Sequence, residues 1–408
     1  MQRLPIGIGL LGLGVVGGGV AKILSENSGR LEKLIGRPIS LKGCLVRDLE
    51  KDRIFQPPPH LVTTDVDDIL NDSEVDIVVE VMGGQDPALR YIQQSISSGK
   101  HIVTANKEII ARYGTDIFNL ARSNDVQVLF EASVAGGTPI IGPLQRDLLP
   151  NDITMIRAII NGTTNYILTR MSDQGKSFVE ALEEAQNLGY AESDPTNDVE
   201  GIDAAYKLAI LSSLAFHTSI KDSDINREGI TRLTPLDFAY ARELGYTIKL
   251  LAIANKDSAT MQMRVHPSFV PNDVMMAKVD GVLNAIEIET DLAGTVLFYG
   301  RGAGSEPTTS AVVANIVDIA RNIADNITPS EPLTILEDLH VRPMIDLETK
   351  YYLRLNVSDR PGVFAKIAKL LGEMQISISS VIQKETDDVA QRAEIVLMTH
   401  RAQEGAMQ

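Results

Sequence analysis

The sequence predicts an α/β protein in which a parallel-sheet domain is followed by an α+β domain and a small βαββαβ module. Three observations support this fold class. Strand-like and helix-like segments alternate over the first third of the chain, helices and then strands are grouped in the middle, and a strand–turn–helix–strand pattern lies near the end. Alternation is typical of parallel sheets with helical crossovers, whereas grouped elements are typical of α+β domains.

The 408 residues are enough for two or three domains. We expect a first domain over residues 1–135 and a second over 136–327, whose last helix returns to the first domain. A linker with prolines and mixed charge over 328–349 leads to a partial module over 350–408.

The first predicted strand, PIGIGLL, leads directly into the glycine-rich turn GLGVVG. Gly12, Gly14 and Gly17 have G-x-G-x-x-G spacing, with Val15 and Val16 between them, and a helix-like segment follows to about Leu34. Gly12 permits the tight turn, Gly14 lets the backbone approach a pyrophosphate, and Gly17 lets the helix pack on the strand. This context predicts a Rossmann-like dinucleotide-binding domain; a turn without a ligand is the alternative.

The second strand, ISLKGCLV, ends at two charged residues that bear on cofactor choice. An acid at this point binds a ribose hydroxyl of NAD, whereas an arginine receives the 2'-phosphate of NADP. Arg47 comes before Asp48. We therefore expect a preference for NADP(H), with use of NAD(H) also open.

Further strands are predicted at DIVVEVMGG, HIVTANK and VQVLFEASV. In HIVTANK the apolar part is the predicted strand, and Lys107 comes just after the carboxyl end of that strand. Ligands of open parallel sheets bind at that edge, so Lys107 is expected to point towards the cofactor cleft.

Lys207 lies in a strongly apolar helical segment, GIDAAYKLAILSSLAF. It shares a helical stripe with Ile210, Leu211 and Leu214, and Asp203 lies one turn earlier. A buried ammonium needs a partner. The pair is therefore either a structural ion pair or a lysine adapted for proton transfer.

Seven motifs in order resemble those of the homoserine dehydrogenase family. They are GLGVVG, VTANK, EASVAGGTPI, NGTTNYIL, GYAESDP, GIDAAYKLAIL and GRGAG, over roughly residues 5 to 325. Members reduce L-aspartate 4-semialdehyde to L-homoserine with a nicotinamide cofactor, in threonine and methionine biosynthesis. The resemblance implies an NAD(P)-dependent oxidoreductase with a dinucleotide domain ahead of a substrate and dimerisation domain.

The resemblance also implies roles for individual residues. Lys207 matches the catalytic lysine, Asp203 its partner and a substrate contact, and Glu192 the carboxylate that binds the substrate amine. Lys107 matches a second lysine between cofactor and substrate, and Gly304 lies beside the cofactor. The loop EASVAGG resembles one that binds a monovalent cation, Na+ or K+; its ligands there correspond to Glu131, Val134, Gly136 and Thr138. A plain tight turn is the alternative.

The segment from Tyr351, YYLRLNVSDRPGVFAKIAKLLGEMQISISSVIQKE, resembles an ACT domain, a ferredoxin-like module that binds amino acids. The chain ends soon after the third predicted strand, so the module is expected to lack its last helix and strand. The turn from Asp359 to Gly362 would line an effector site, with threonine as the expected effector. A stabilising or dimerising module without a ligand is the alternative.

Composition limits the partners and the cellular compartment that we expect for this protein. The net charge of -16 opposes a nucleic acid or an anionic membrane as the main partner. The single cysteine, Cys44, excludes an internal disulfide and suits a reducing compartment. With neither a membrane-spanning stretch nor a signal-peptide cleavage pattern in view, we expect a cytoplasmic homodimer or homotetramer acting on a small molecule.

Two other functions stay open at this point. One is another amino-acid semialdehyde dehydrogenase or reductase on the same cofactor domain. The other is a non-catalytic, cofactor-dependent amino-acid sensor. Measured turnover would separate both from homoserine oxidation.

Overall fold

The first sheet of the protein is parallel. The computed structural model describes residues 4–327, 333, 335–336, 339–383 and 392–408. The strand order is β3-β2-β1-β4-β5-β6, the order of a dinucleotide-binding sheet. The strands are β1 (Ile6–Leu11), β2 (Ile39–Leu45), β3 (Val62–Thr63), β4 (Ile77–Glu80), β5 (His101–Thr104) and β6 (Val128–Leu129).

Strand β1 lies at the centre of this sheet, and all of its residues are buried. A continuous apolar run is what a parallel strand needs when helices cover both of its faces. The covering helices are α1 (Val15–Glu26), α2 (Ser28–Ile35), α3 (Asp67–Leu70), α4 (Ala88–Ser97) and α5 (Lys107–Ser123). The segment predicted as one helix to about Leu34 is therefore two helices that meet at Asn27.

The second sheet is mixed and follows the helices of the middle region. Its strands are β7 (Ile153–Ile159), β8 (Asn226–Arg227), β9 (Tyr246–Asp257), β10 (Thr260–Pro271), β11 (Leu283–Thr290) and β12 (Thr295–Arg301), joined by β13 (His340–Val341). The order is β12-β11-β7-β9-β10-β13, with β8 beside β10. The predicted grouping of helices and then strands is confirmed.

Helices of the middle region cover one face of this sheet. They are α6 (Ile141–Gln145), α7 (Gly162–Gln174), α8 (Phe178–Asn187), α9 (Thr196–Val199), α10 (Ile202–Phe216) and α11 (Pro235–Glu243). Helix α10 is buried from Asp203 to Phe216, because it lies between the sheet and helix α5. That position brings a charged pair into the centre of the molecule.

Helix α12 (Ser305–Asp325) returns to the first sheet. Its apolar residues Val312, Ile316 and Ile319 share a core with β1 and α1. Its first turn also bonds the start of α1, where Thr309 Oγ1 donates to the Val16 carbonyl at 3.4 Å. The chain thus closes the middle region back onto the glycine-rich turn.

The last region forms a small antiparallel sheet, β15-β17-β16, and a two-stranded ladder, β14-β18. Its elements are β14 (Glu348–Thr349), β15 (Tyr352–Ser358), α13 (Val363–Glu373), β16 (Ile378–Gln383), β17 (Arg392–Thr399), β18 (Ala402–Gln403) and α14 (Glu404–Met407). Arg354 on β15 pairs with Asp237 on α11 at 2.8 Å, which fixes this module to the middle region.

Some predictions fall outside the described residues. These are residues 328–332, 334, 337 and 338 of the predicted linker and residues 384–391 of the predicted module. The domain boundaries stay predictions. In the part of the chain that the structure describes, no helix combines the length and apolar character needed to cross a membrane.

Candidate active site

The charged centre of the middle region is an ion pair on helix α10. Lys207 Nζ donates to Asp203 Oδ2 at 2.7 Å and to the carbonyl oxygen of Ile160 at 2.8 Å. Asp203 and Lys207 are four residues apart, so their side chains lie on one face of the helix. Both side chains are buried, and two of the three N–H groups of the ammonium have partners.

A second lysine reaches the same carboxylate from helix α5. Lys107 is the first residue of α5, and the side chain of Asn106 caps that helix by accepting from the Ile109 N–H at 3.2 Å. Lys107 Nζ forms an ion pair with Asp203 Oδ1. The carboxylate of Asp203 therefore lies between Lys107 and Lys207, one lysine on each oxygen.

The two lysines are in different electrostatic states. Burial lowers the pKa of Lys207, and the charge of Lys107 lowers it further against the attraction of Asp203. Burial also acts to lower the pKa of Lys107, but Asp203, Asp198 and Glu192 outweigh it and the pKa is raised. The lysine that gives up its proton more easily is therefore Lys207.

The carboxylates follow the same electrostatics. Burial alone would raise the pKa of Asp203, but the charges of Lys207 and Lys107 lower it well below its usual range. The pKa of Asp198 is raised by burial and by the charge of Asp203. An ionised Asp203 beside a more readily protonated Asp198 is the kind of asymmetry that acid–base chemistry uses.

Two side chains of this cluster were not predicted from the sequence. Asn161, in the turn between β7 and α7, donates to Asp198 Oδ1 at 2.6 Å and to Asp203 Oδ2 at 2.8 Å. The second is Asp198, which lies on helix α9. The only sequence signal was the motif NGTTNYIL itself, because the partners are 37 and 42 positions away from Asn161.

The other acidic residues of the loop before α10 lie outside the cluster. Glu192 is exposed, although its charge helps to raise the pKa of Lys107. Asp194 bonds the N–H and hydroxyl of Thr196, and Glu200 accepts from Thr231. Glu192 is therefore the acid of this group placed to act on the site from its open side.

The glycine-rich turn has the geometry of a phosphate-binding turn. Gly12 has φ +102°, which favours glycine, and a Cβ on Gly17 would stand 2.0 Å from the carbonyl oxygen of Gly12. A Cβ on Gly14, the N-cap of α1, would meet nothing within 4 Å. The backbone at Gly14 is thus open to a ligand at the start of a long helix.

Hydrogen bonds connect this turn to the lysine of α5. The side chain of Met82 comes within 3.1 Å of the position that a Cβ on Gly12 would take. The backbone N–H of Met82 donates to Glu80 Oε1 at 2.8 Å. Thr104 donates to the other oxygen of Glu80 at 2.6 Å, and Asn106 donates to the carbonyl of Gly84 at 2.7 Å. The cofactor turn and Lys107 therefore share one edge of the sheet.

Gly304 also lies at this edge. It has φ +119° and is the N-cap of α12. The next residue, Ser305, donates to the carbonyl of Val15 at 3.5 Å. Val15 is exposed and Val16 half-buried, so the start of α1 borders the opening in front of the turn.

Arg47 and Asp48 are exposed just beyond β2. Asp48 uses its carboxylate within its own loop, where it accepts from the Glu50 N–H at 2.9 Å, and its carbonyl accepts from Arg53. Arg47 carries its charge at the same place without being tied into that loop.

The loop predicted to bind a cation is anchored by Glu131. Both carboxylate oxygens of Glu131 accept backbone N–H groups, from Ile140 at 2.7 Å, Ile141 at 2.9 Å and Gly142 at 2.8 Å. Its side chain thus stabilises the start of α6. The other oxygens of this loop are its backbone carbonyls and the hydroxyls of Ser133 and Thr138, which donate to the carbonyls of Phe130 and Arg301. Ala135 adopts φ +48° beside Gly136 and Gly137. No group of three or more His, Cys, Asp or Glu residues in the described ranges could hold a metal ion.

A dinucleotide turn on the same sheet edge as Lys107, which shares the carboxylate of Asp203 with Lys207, is the arrangement of a nicotinamide-dependent oxidoreductase. Three family models agree with this class. They are Homoserine dehydrogenase, NAD binding domain, over residues 12–131, Homoserine dehydrogenase over 139–317, and the ACT domain over 351–406. The chain belongs to the homoserine dehydrogenase family and carries a C-terminal ACT domain.

Relatives and solved structures support this assignment over the whole chain. The homoserine dehydrogenase of Synechocystis is 46% identical, covering 98% of this chain and 94% of the relative. The crystal structure of a homoserine dehydrogenase from Thiobacillus denitrificans has a TM-score of 0.93 at 45% identity, covering 99% and 93% of the two chains. A hyperthermophilic archaeal homoserine dehydrogenase in complex with NADPH has a TM-score of 0.66 at 28% identity, covering 80% and 99%.

Proposed function

We propose that this chain interconverts L-aspartate 4-semialdehyde and L-homoserine with Lys207 as the principal acid and base. The observation that carries the proposal is the carboxylate of Asp203 held between Lys207 and Lys107 at the cofactor edge of the sheet. The nicotinamide supplies or accepts the hydride when it is bound. The protein's own residues must then handle the proton and the charge on oxygen.

In the direction of reduction, the ammonium of Lys207 donates its proton to the aldehyde oxygen as negative charge develops there. In oxidation, neutral Lys207 takes the proton of the substrate hydroxyl. The lowered pKa of Lys207 makes both states accessible. Lys107, whose pKa is raised, stays charged and stabilises the negative charge on the substrate oxygen. It shares the proton-transfer role through that charge.

Asp203 orients the two lysines, and Glu192 binds the substrate amine in this proposal. Both oxygens of Asp203 already face a lysine, which limits its contact with a third cation. Glu192 is exposed and acts electrostatically on Lys107, so an amine at Glu192 would place the rest of a four-carbon substrate towards the lysines.

Arg47 is the residue on which we base a preference for NADP(H) over NAD(H). It stands at the end of β2, where the 2'-phosphate binds in such sheets, while Asp48 is engaged in its own loop. The test is the rate of homoserine oxidation with NADP and with NAD. We expect Arg47→Ala to raise the KM for NADP about tenfold with little change for NAD. An equal effect on both cofactors would contradict the assignment.

The loop from Glu131 to Thr138 is proposed to bind Na+ or K+ through Glu131 and the backbone carbonyls of Val134, Gly136 and Thr138. A glycine-containing loop in which the carboxylate of Glu131 already accepts backbone N–H groups suits a monovalent cation. The ion would stabilise the loop and take no part in the chemistry. Rates in K+, Na+ and tetramethylammonium salts test this; equal rates in all three would contradict it.

The ACT domain is proposed to mediate inhibition by threonine and assembly into a homodimer or homotetramer. The turn from Asp359 to Gly362 leads into helix α13, none of whose residues is buried, and Phe364 and Leu370 are exposed on it. Exposed apolar residues favour contact between copies. Light scattering with and without threonine, beside the rate assay, tests both parts; a monomer insensitive to threonine would contradict them.

The alternative enzymes and the sensor make different predictions. An oxidising aldehyde dehydrogenase needs a nucleophilic cysteine, but Cys44 is buried in β2 and burial raises its pKa to about 12. A sensor would bind cofactor and amino acid without turnover. Folded protein that binds NADP but oxidises no homoserine would favour the sensor or another semialdehyde.

A further inference from the structure

Asn161 is the most highly connected neutral side chain of the site. Its Nδ2 group donates to Asp198 Oδ1 at 2.6 Å and to Asp203 Oδ2 at 2.8 Å. Its Oδ1 atom accepts from the N–H of Thr164 at 2.8 Å and from the Thr164 hydroxyl at 3.0 Å. Because a backbone N–H can only donate, Thr164 fixes which end of the amide faces the carboxylates.

The amide therefore has two separable functions. Its oxygen is the N-cap of helix α7, and its nitrogen connects the carboxylates of α9 and α10. Asp203 Oδ2 accepts from Asn161 and from Lys207 at the same time. The direction from which Asp203 meets the lysine is thus set in part by the amide.

The carboxylates need this donor because they lie close together. The pKa of Asp198 is raised by burial and by the charge of Asp203, and the hydrogen bond from Asn161 opposes both. The other charged groups that act on the pair are Lys207, on the same helix as Asp203, and Lys107 at the start of α5. Glu192, in the loop before α9, acts on Lys107. Without the amide, the nearest relief of the repulsion is a proton on Asp198.

We propose that Asn161 is a positioning residue for proton transfer, which keeps Asp198 and Asp203 together as ionised carboxylates and holds Asp203 in line with Lys207. The inference rests on the proposed role of Lys207. It assigns a task to the turn between β7 and α7, which also supplies the Ile160 carbonyl to the same lysine.

Substitutions can separate this task from helix capping. Serine and aspartate are good N-caps, so Asn161→Ser and Asn161→Asp keep the acceptor for the Thr164 N–H. Serine removes the donor to the two carboxylates, and aspartate replaces it with a third negative charge. Asn165→Ser is the matched control, since Asn165 is a buried amide of the same helix whose side-chain partners, the Val279 and Leu283 carbonyls and the ammonium of Lys249, lie outside the site.

The experiment is the pH profile of kcat and kcat/KM for homoserine oxidation by the whole enzyme. We expect Asn161→Ser to lower kcat about tenfold and to move the rising limb of the profile, which follows the pKa of Lys207, to higher pH, because carboxylates that have lost a donor hold the proton of Lys207 more strongly. Asn161→Asp should lower kcat further and move the same limb further upward, since added negative charge raises the pKa of Lys207. Asn165→Ser should leave that limb in place.

Two further measurements make the outcome decisive. NADP binding and circular dichroism show that each variant is folded. In an Asp198→Asn background, Asn161→Ser should cost less than in the wild type, because the repulsion it relieves is gone. Wild-type profiles for Asn161→Ser and Asn161→Asp would reduce Asn161 to a helix cap, and a shifted profile for Asn165→Ser would also overturn the inference. An active Lys207→Ala variant would instead overturn the proposed function.

Discussion

Lys207 and Lys249 are two buried lysines with nearly the same immediate partners and different surroundings. Lys207 donates to the Ile160 carbonyl and to Asp203. Lys249, on β9, donates to the Val279 carbonyl at 2.6 Å and to Asp280 at 2.9 Å. Burial lowers the pKa of both. Neither burial nor an aspartate partner separates a catalytic lysine from a structural one.

The two lysines differ most in the exposure of their carboxylate partners, Asp203 and Asp280. The side chain of Asp203 is 4% exposed and that of Asp280 is 63% exposed. Asp203 is shared with Lys107 and with Asn161, whereas Lys249 uses its remaining donor on Asn165 Oδ1 at 3.4 Å. Lys249 therefore has a partner for each N–H, while Lys207 has two partners among the described residues, and its third N–H is the one that we propose meets a substrate oxygen.

The assignment of Lys207 as the proposed catalytic lysine therefore depends on which other residues contact its partner Asp203. A shared carboxylate couples Lys207 to a second lysine at the cofactor edge. The carboxylate of Asp280 is solvated and is not shared with a second lysine of the described chain. Lys249 therefore links β9 to the segment at Val279 and Asp280.

Removing the two amines should separate activity from stability. We expect Lys207→Met to lower kcat about 10²–10⁴-fold, as the loss of a general acid and base does, with NADP binding retained. Lys249→Met should leave kcat near the wild-type value and lower the free energy of unfolding by about 1–3 kcal/mol, since the buried Val279 carbonyl loses its donor. Steady-state kinetics measure kcat, and urea unfolding measures the free energy of unfolding. Equal loss of activity in both variants would break the comparison.

Neutralising the two aspartates should give the second-largest contrast. Asp203→Asn leaves the buried Lys207 and the partly exposed Lys107 without their shared partner, so we expect a loss of about 3–5 kcal/mol in unfolding free energy and a large fall in kcat. Asp280→Asn should cost about 0–1 kcal/mol because its charge is solvated.

The pH dependence of the Asp203 contribution has a definite sign. Its pKa is lowered, so the stabilisation is fully present above the ordinary value of 3.8 and is lost as pH falls through the lowered pKa. The unfolding free energies of wild type and Asp203→Asn should therefore converge in acid. A constant difference down to the lowest pH would contradict this sign.

The smallest effect concerns the pH dependence of turnover. Homoserine oxidation needs neutral Lys207, so its rate should rise with pH through a pKa below the ordinary lysine value of 10.5. Lys249→Met should leave that limb unchanged. A limb that moves with Lys249, or that lies above 10.5, would contradict the assignment of the base.

Local patterns were sufficient to predict part of this site. Asp203 and Lys207 are one turn apart in an apolar helix, and Lys107 follows a strand of a parallel sheet, so each could be placed from its neighbours in sequence. That both lysines meet one carboxylate depends on helix α10 packing against α5. This packing joins residues about a hundred positions apart, and the family resemblance indicated only that both lysines belong to one site.

The remaining parts depend on tertiary contacts with weak local signals. Asn161 reads as an ordinary helix cap, and its second task exists only because α9 and α10 lie beside it. Lys249 occurs in a strand-like run, and its partner Asp280 is 31 positions away. The nine-residue pattern VQVLFEASV forms only the two-residue strand β6, because the chain turns at Glu131 to bond the start of α6.

The measurement that tests the central claim most directly is chemical rescue of lysine variants. Homoserine oxidation by Lys207→Ala and by Lys107→Ala would be followed in a series of small primary amines of increasing basicity. We predict that amines restore the rate of Lys207→Ala in proportion to their concentration and basicity, while Lys107→Ala shows no such dependence. Rescue of Lys107→Ala with no response of Lys207→Ala would show that the proton passes through the other lysine.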